Sequence, residues 1–278
     1  MKTPRVFSTY IYFLVGITIA GGFLAALGFA FISGLRHLLW LRKMSMNPLP
    51  HPWLWMGVVF IGVLIVSFWY RVITATLWNR QQKLLLTVHL MPLLRPFPQQ
   101  VQSELEQIAD WYLIADKERY AFTWGIRHPQ IAISSGLWAA LDESAQKAVM
   151  YHEAAHVLAH DPLQQALLQV LSYALRPLGM TGLYQRYLIR REIVADTIAV
   201  AACDGDDVPL LMALLAATES PLDFASRVGL AGALEARIQF IETRRLPPWW
   251  DHHLRYRLVS TLVAILLTLG EGLLVWCH

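Results

Sequence analysis

Residues 150–161 read MYHEAAHVLAHD, from Met150 to Asp161. His152 and His156 are four apart, and Glu153 directly follows the first. On an α-helix, residues at that spacing share a face and lie about 6 Å apart along the axis, so two imidazoles can converge on one ion. Zinc accepts neutral imidazole nitrogen and keeps a position open for water in catalytic sites. A glutamate beside the first histidine can reach that water and take its proton, which is the logic of H-E-x-x-H. With the ten histidines of this 278-residue chain, roughly 0.013 such motifs would arise by chance. The spacing therefore favours a metal site over coincidence.

The motif sits in a predicted helix. Asp142 is a candidate N-cap for a helix through ESAQKAVMYHEAAHVLAH. Asp161 then opens a second helix, with Pro162 at its first position and Gln164 three after the cap. RYAFTWG (119–125) and QIAISSG (130–136) read as two short strands joined by the turn IRHP. Residues 98–114 place Val101, Leu105, Ile108 and Tyr112 at helical spacing, which predicts an amphipathic helix. Further helices are expected at about 183–203, 207–219 and 224–243.

The wider chain is unlike an ordinary soluble domain. It is 56% hydrophobic, only 15% charged, and has a mean hydropathy of +0.41. An uncharged run of 30 residues lies between Arg5 and Arg36, and a second lies between Lys43 and Arg71. A third begins after Arg257 and is interrupted only by Glu271. Each is long enough to span a bilayer. Trp40, Trp53, Trp55, Trp69, Trp249, Trp250 and Trp276 fall near the ends of these runs, where indole rings favour the headgroup region. The first run is much longer than the apolar core of a signal peptide, so a retained anchor is expected. The organisation predicted is two N-terminal transmembrane helices in 1–78 (about 7–32 and 53–77), a polar domain in 79–250, and a C-terminal transmembrane helix in 251–278. Residues 163–180 are apolar yet carry Gln164, Gln165, Gln169 and Arg176, and read as packing on the core or lying at the membrane surface.

A formal charge of +3 without a long Lys/Arg block gives no support to a nucleic-acid partner. Two cysteines are too few for a disulfide framework. Lys and Arg flank the polar domain and the N-terminus, which favours both in the cytoplasm, although Arg36, Arg42 and Lys43 in the short loop argue the other way.

A third metal ligand is needed. His160 is eight residues from His152, about 12 Å along a straight helix, too far to share the ion; it is expected to line the site as a polar group or to support a ligand from behind. Glu192 and Asp196 are again four apart in REIVAD. Glu192 can complete a His2Glu site, and Asp196 can accept a hydrogen bond from the far nitrogen of a metal-bound histidine. Equally, the two can be a solvated acid pair beside Arg186, Arg190 and Arg191. Spacing does not choose between these.

HEAAHVLAHDP followed by REIVADTIAV resembles the gluzincin membrane metallopeptidases. The lead-in GIRHPQIAISSGLWAALDESAQKAVMYHEAAH is similar to that of the BlaR/MecR-type antirepressor peptidases and the related HtpX-type peptidases, and LEARIQFIE is similar to a late helix of the same group. The likeness spans roughly residues 119–243. It implies one Zn2+ per chain at His152, His156 and Glu192, with Glu153 as general base and Asp196 hydrogen-bonded to a ligand histidine. It also implies an integral protein of a bacterial inner membrane, with the peptidase domain facing the cytoplasm. The sequence ends two residues after Trp276 without a penicillin-binding sensor domain, so no β-lactam sensing is expected.

The fold expected is therefore a mainly α integral membrane protein: three transmembrane helices plus a gluzincin-like α+β metallopeptidase domain with a small β-sheet. The activity expected is hydrolysis of a protein or peptide substrate, as regulated repressor cleavage or membrane-protein quality control. Strand residues Gln130, Ile131, Ala132, Ile133 and Ser134 are expected to pair with an extended substrate. The competing expectation is a proteolytically inactive membrane-bound regulatory protein with a retained zinc site.

Overall fold

The computed structural model describes residues 7–43, 52–97, 103–176, 180–218 and 230–243. The expected third span lies outside them, as do Glu271, Trp249, Trp250 and Trp276. The chain divides into two compact units. One contains Asn79–Leu167 and Gln185–Trp250; the other contains Phe13–Trp78 and Leu168–Tyr184.

The second unit holds most of α1 (Phe7–Lys43) and of α2 (Pro52–Leu90). Within them, Leu14–Lys43 and Trp55–Gln82 are long and apolar enough to cross a membrane. Both helices run longer than the sequence predicts, because no Pro or Gly cluster stops either one at the end of its apolar run. Gly34 lets them approach: a Cβ there would lie 2.8 Å from Val58. Most of the outward α2 surface is apolar, with Met56, Val59, Phe60, Val63 and Val66 all exposed.

The first unit holds a four-stranded sheet of β1 (Leu94–Pro96), β2 (Asp110–Ile114), β3 (Ala121–Trp124) and β4 (Gln130–Ser134). Its order is β1-β2-β4-β3. β2 and β4 are parallel, while β1 pairs with β2 and β3 with β4 antiparallel. The two expected strands are present, and Gly125, at φ +89, turns the chain between them. A side chain at Gly125 would also meet the His128 carbonyl.

The helix expected across 98–114 is corrected. Only α3 (Ser103–Glu106) is helical among the described residues there, and Asp110–Ile114 is strand. The aromatic and β-branched run DWYLI gains more from pairing with β4 than from a short helix. Trp111 then buries its ring and donates its indole N–H to the Leu105 carbonyl.

The short α4 (Ser135–Ala140) leads to α5 (Glu143–Leu158). Asp142 caps α5 as expected: its Oδ1 accepts the Ala145 N–H at 2.8 Å. Asp142→Ala should therefore lower stability by removing this cap, read as a lower denaturant midpoint. Ile131 and Ile133 of β4 pack with Ala145, Val149, Ala154 and Val157 of α5, which fixes the helix beneath the sheet. α6 (Asp161–Ala174), α7 (Met180–Ala202), α8 (Val208–Thr218) and α9 (Leu230–Thr243) follow. Ala148 of α5, Ala199 and Val200 of α7, Leu210 and Leu214 of α8, and Ile241 of α9 form a second cluster. Ala236 of α9 packs with Ile189 and Ile193 of α7, with Phe240 beside them. These contacts hold α9 along α7, and that placement matters at the site.

Candidate metal centre

His152 and His156 project from one face of α5, one turn apart, with their Nε2 atoms 3.2 Å from each other. α7 runs across that face and brings Glu192, whose Oε2 lies 3.4 Å from His152 Nε2 and 3.8 Å from His156 Nε2. Ligand atoms at ordinary zinc distances in a tetrahedron lie about 3.3 Å apart. The three donor atoms have that spacing, and all three residues are buried. His152, His156 and Glu192 thus form a candidate metal site, and the reading of Glu192 as a solvated surface acid does not describe its position.

The far nitrogens of both histidines meet carboxylates. Asp161 Oδ2 lies 2.7 Å from His156 Nδ1. Asp196 Oδ1 lies 3.0 Å from His152 Nδ1, a short but poorly aligned contact. Carboxylates at Nδ1 place the proton there, so the Nε2 lone pairs are left facing Glu192. Three electron-rich atoms at this separation repel one another unless a cation or proton lies among them.

Arg191 and Arg237 are both buried and committed. Arg237, from α9, is 1% exposed. It grips Asp196 with both prongs, Nε to Oδ2 at 2.8 Å and Nη2 to Oδ1 at 2.7 Å. Its Nη1 lies 3.4 Å from Glu192 Oε2. Arg191 donates to Glu192 Oε1 and to Gln165 Oε1. Burial alone would raise the Glu192 carboxyl, but Arg191 first, then the histidines and Arg237, hold it well below the ordinary carboxylate range. Burial likewise works against the Asp196 carboxylate, and Arg237 and His152 outweigh it to lower its pKa.

His152 shows the same contest with opposite sign. Burial disfavours its charged form, yet Asp196 and Glu192 prevail and raise its pKa to about 9. In the metal-free protein this proton must leave before a metal binds. Metal affinity should therefore rise with pH, about tenfold per unit up to about pH 9. Competition with a chelating dye measures this; an affinity that stays flat from about pH 6 to 8 would contradict it.

Glu153, 6% exposed, points toward the cleft beside the donor set. Its Oε2 accepts the Thr123 hydroxyl at 2.8 Å. Ala121, Phe122 and Thr123 of β3 form one wall of this cleft.

Several expectations change here. Gln130–Ser134 does not offer an edge to substrate: β4 is paired with β2 on one side and β3 on the other. Among the described residues, the strand at the end of the sheet on the side of the site is β3. His160 does not line the site. It is exposed and takes a left-handed conformation, φ 53, in the turn between α5 and α6. That turn carries Asp161 back under His156, so its carboxylate serves the imidazole instead of capping α6. Tyr187 donates to Asp161 at 3.4 Å and is fully buried. Arg237, Thr123 and the role of Asp161 were missed from sequence. For Asp161 the sequence carries a usable signal: each metal-bound histidine calls for a carboxylate at its other nitrogen, and Asp196 can serve one of the two.

The donor set is of a kind that suits a metallopeptidase centre: an HExxH helix crossed by a helix that brings one carboxylate as the candidate third ligand. Comparison by sequence agrees: residues 92–221 match Peptidase family M48, which supports a gluzincin-type metallopeptidase. The match spans a little under half of the chain and ends before α9. Curated proteins and solved structures gave no match.

Proposed function

We propose that the chain is a membrane-anchored zinc endopeptidase that cleaves a protein substrate. The observation that carries this reading is the convergence of His152, His156 and Glu192 on one point, with Glu153 at the same cleft. His152, His156 and Glu192 would hold a zinc ion, which would supply Lewis acidity and make a water nucleophilic near neutral pH. Glu153 takes the proton of the attacking water and later gives it to the leaving amine. Asp161 and Asp196 keep the ligand histidines in the Nδ1–H tautomer. Arg191 and Arg237 keep Glu192 and Asp196 ionised in a buried setting. The edge of β3 holds the substrate in extended form through main-chain hydrogen bonds.

Two apolar helices and the expected third span support insertion in a bacterial inner membrane. The basic flanks support a cytoplasmic peptidase unit. The lead-in GIRHPQIAISSGL supports kinship with the BlaR/MecR-type antirepressor peptidases. Cleavage of a cytosolic repressor or of damaged membrane proteins fits that placement.

The test compares new protein N-termini in cells expressing wild type or Glu153→Gln. Termini present only with wild type are expected, and they name the substrate and the membrane side. Identical termini, with both proteins expressed and zinc-loaded, would overturn the reading.

A further inference from the structure

Thr123 sits on the edge strand β3, opposite Ile131 of β4. Ile131 faces the core shared with α5, so the Thr123 side chain is directed at that helix as well. Its hydroxyl lies 2.8 Å from Glu153 Oε2 and 3.2 Å from the Glu153 backbone carbonyl. A threonine hydroxyl has one hydrogen to give. The shorter contact goes to an ionised acceptor, where hydrogen bonds are about twice as strong as between neutral groups. Glu153 Oε1 accepts no hydrogen bond among the described residues. One carboxylate oxygen is thus held and the other is left for the cleft.

Resting on the peptidase reading above, we propose that Thr123 is a positioning residue that orients the Glu153 carboxylate from the strand that receives substrate. The hydroxyl fixes Oε2, which restricts rotation of the carboxylate about its terminal torsion and aims Oε1 at the attacking water. That torsion is broad and roughly two-fold when unrestrained, so a single donor makes a large difference to it. Because Thr123 belongs to β3, substrate pairing along that edge stiffens the strand that holds the base. Docking and activation of the base are then linked through one side chain. A valine has the same shape and no donor; a serine keeps the donor and loses only a methyl.

The experiment uses the full chain in detergent micelles, zinc-loaded, as wild type, Thr123→Val, Thr123→Ser and Glu153→Gln. Turnover is read with an internally quenched peptide cleaved by wild type, alongside zinc content and affinity for acetohydroxamic acid. That probe binds metal and gives its hydroxyl proton to a neighbouring base. Thr123→Val should keep its zinc, lower kcat about tenfold or more with KM within about twofold, and weaken the hydroxamate by a similar factor. Thr123→Ser should restore most of both. A Thr123→Val enzyme within twofold of wild type would overturn the proposal, as would a Thr123→Ser enzyme equally impaired. If Glu153→Gln itself leaves turnover unchanged, the general-base reading fails first, and the two failures are told apart.

Discussion

Replacing Glu153 by Gln should leave the metal in place and reduce peptide hydrolysis by about 10²–10⁴-fold, the usual contribution of a positioned general base. Glu153 does not contribute to the donor set: His152, His156 and Glu192 do. Gln has nearly the same shape and can still accept the Thr123 hydroxyl, so the fold and the β3 contact survive. Only the capacity to take and return a proton is lost. The measurement is turnover of the purified full chain, with zinc content on the same sample. Loss of zinc together with activity would mean that Glu153 contributes to the metal site itself. Full activity would remove it from the chemistry.

Arg237→Met should have the largest effect on stability. The substitution keeps much of the side-chain volume and removes the guanidinium that, among the described residues, is bound to Asp196. Asp196 is 1% exposed and cannot turn to solvent, and its remaining neighbour at hydrogen-bond distance among the described residues is His152. Removing one partner of a buried ion pair costs about 3–5 kcal/mol, because the other charge is stranded. Adding Asp196→Asn should recover part of that loss, since the stranded charge is then gone. The unfolding midpoints of the two single variants and the double variant test this as a cycle. A cost below about 1 kcal/mol for Arg237→Met, or purely additive effects, would show that α9 is a bystander.

The sequence was most informative where a local pattern carries the chemistry. His152, Glu153 and His156 needed only the helix period and a cap at Asp142, and both are present. Glu192 and Asp196 were legible as a spaced pair but not as a choice between ligand and surface acid, because that depends on where α7 crosses α5. The region 98–114 misled because Val101, Leu105, Ile108 and Tyr112 satisfy a helical period that Trp111 and Ile114 override. Those side chains bury against α5 and beneath β4 only when Asp110–Ile114 is extended. The choice of β4 as the substrate strand failed for a related reason. Sheet order is a long-range property, and nothing within QIAIS says that β2 occupies its far edge. Arg237 was out of reach in sequence terms. It lies 41 residues beyond Asp196 and outside the matched peptidase region, and joins the site only because Ala236, Phe240 and Ile241 hold α9 against the core.

The central claim is that His152, His156 and Glu192 together hold one catalytic metal. Elemental analysis of the purified full chain, run beside His156→Ala and Glu192→Ala, addresses it most directly. The predicted result is one zinc per wild-type chain and little or none in either variant, with all three proteins folded by circular dichroism. Wild type without stoichiometric metal, or either variant retaining it in full, would contradict the assignment.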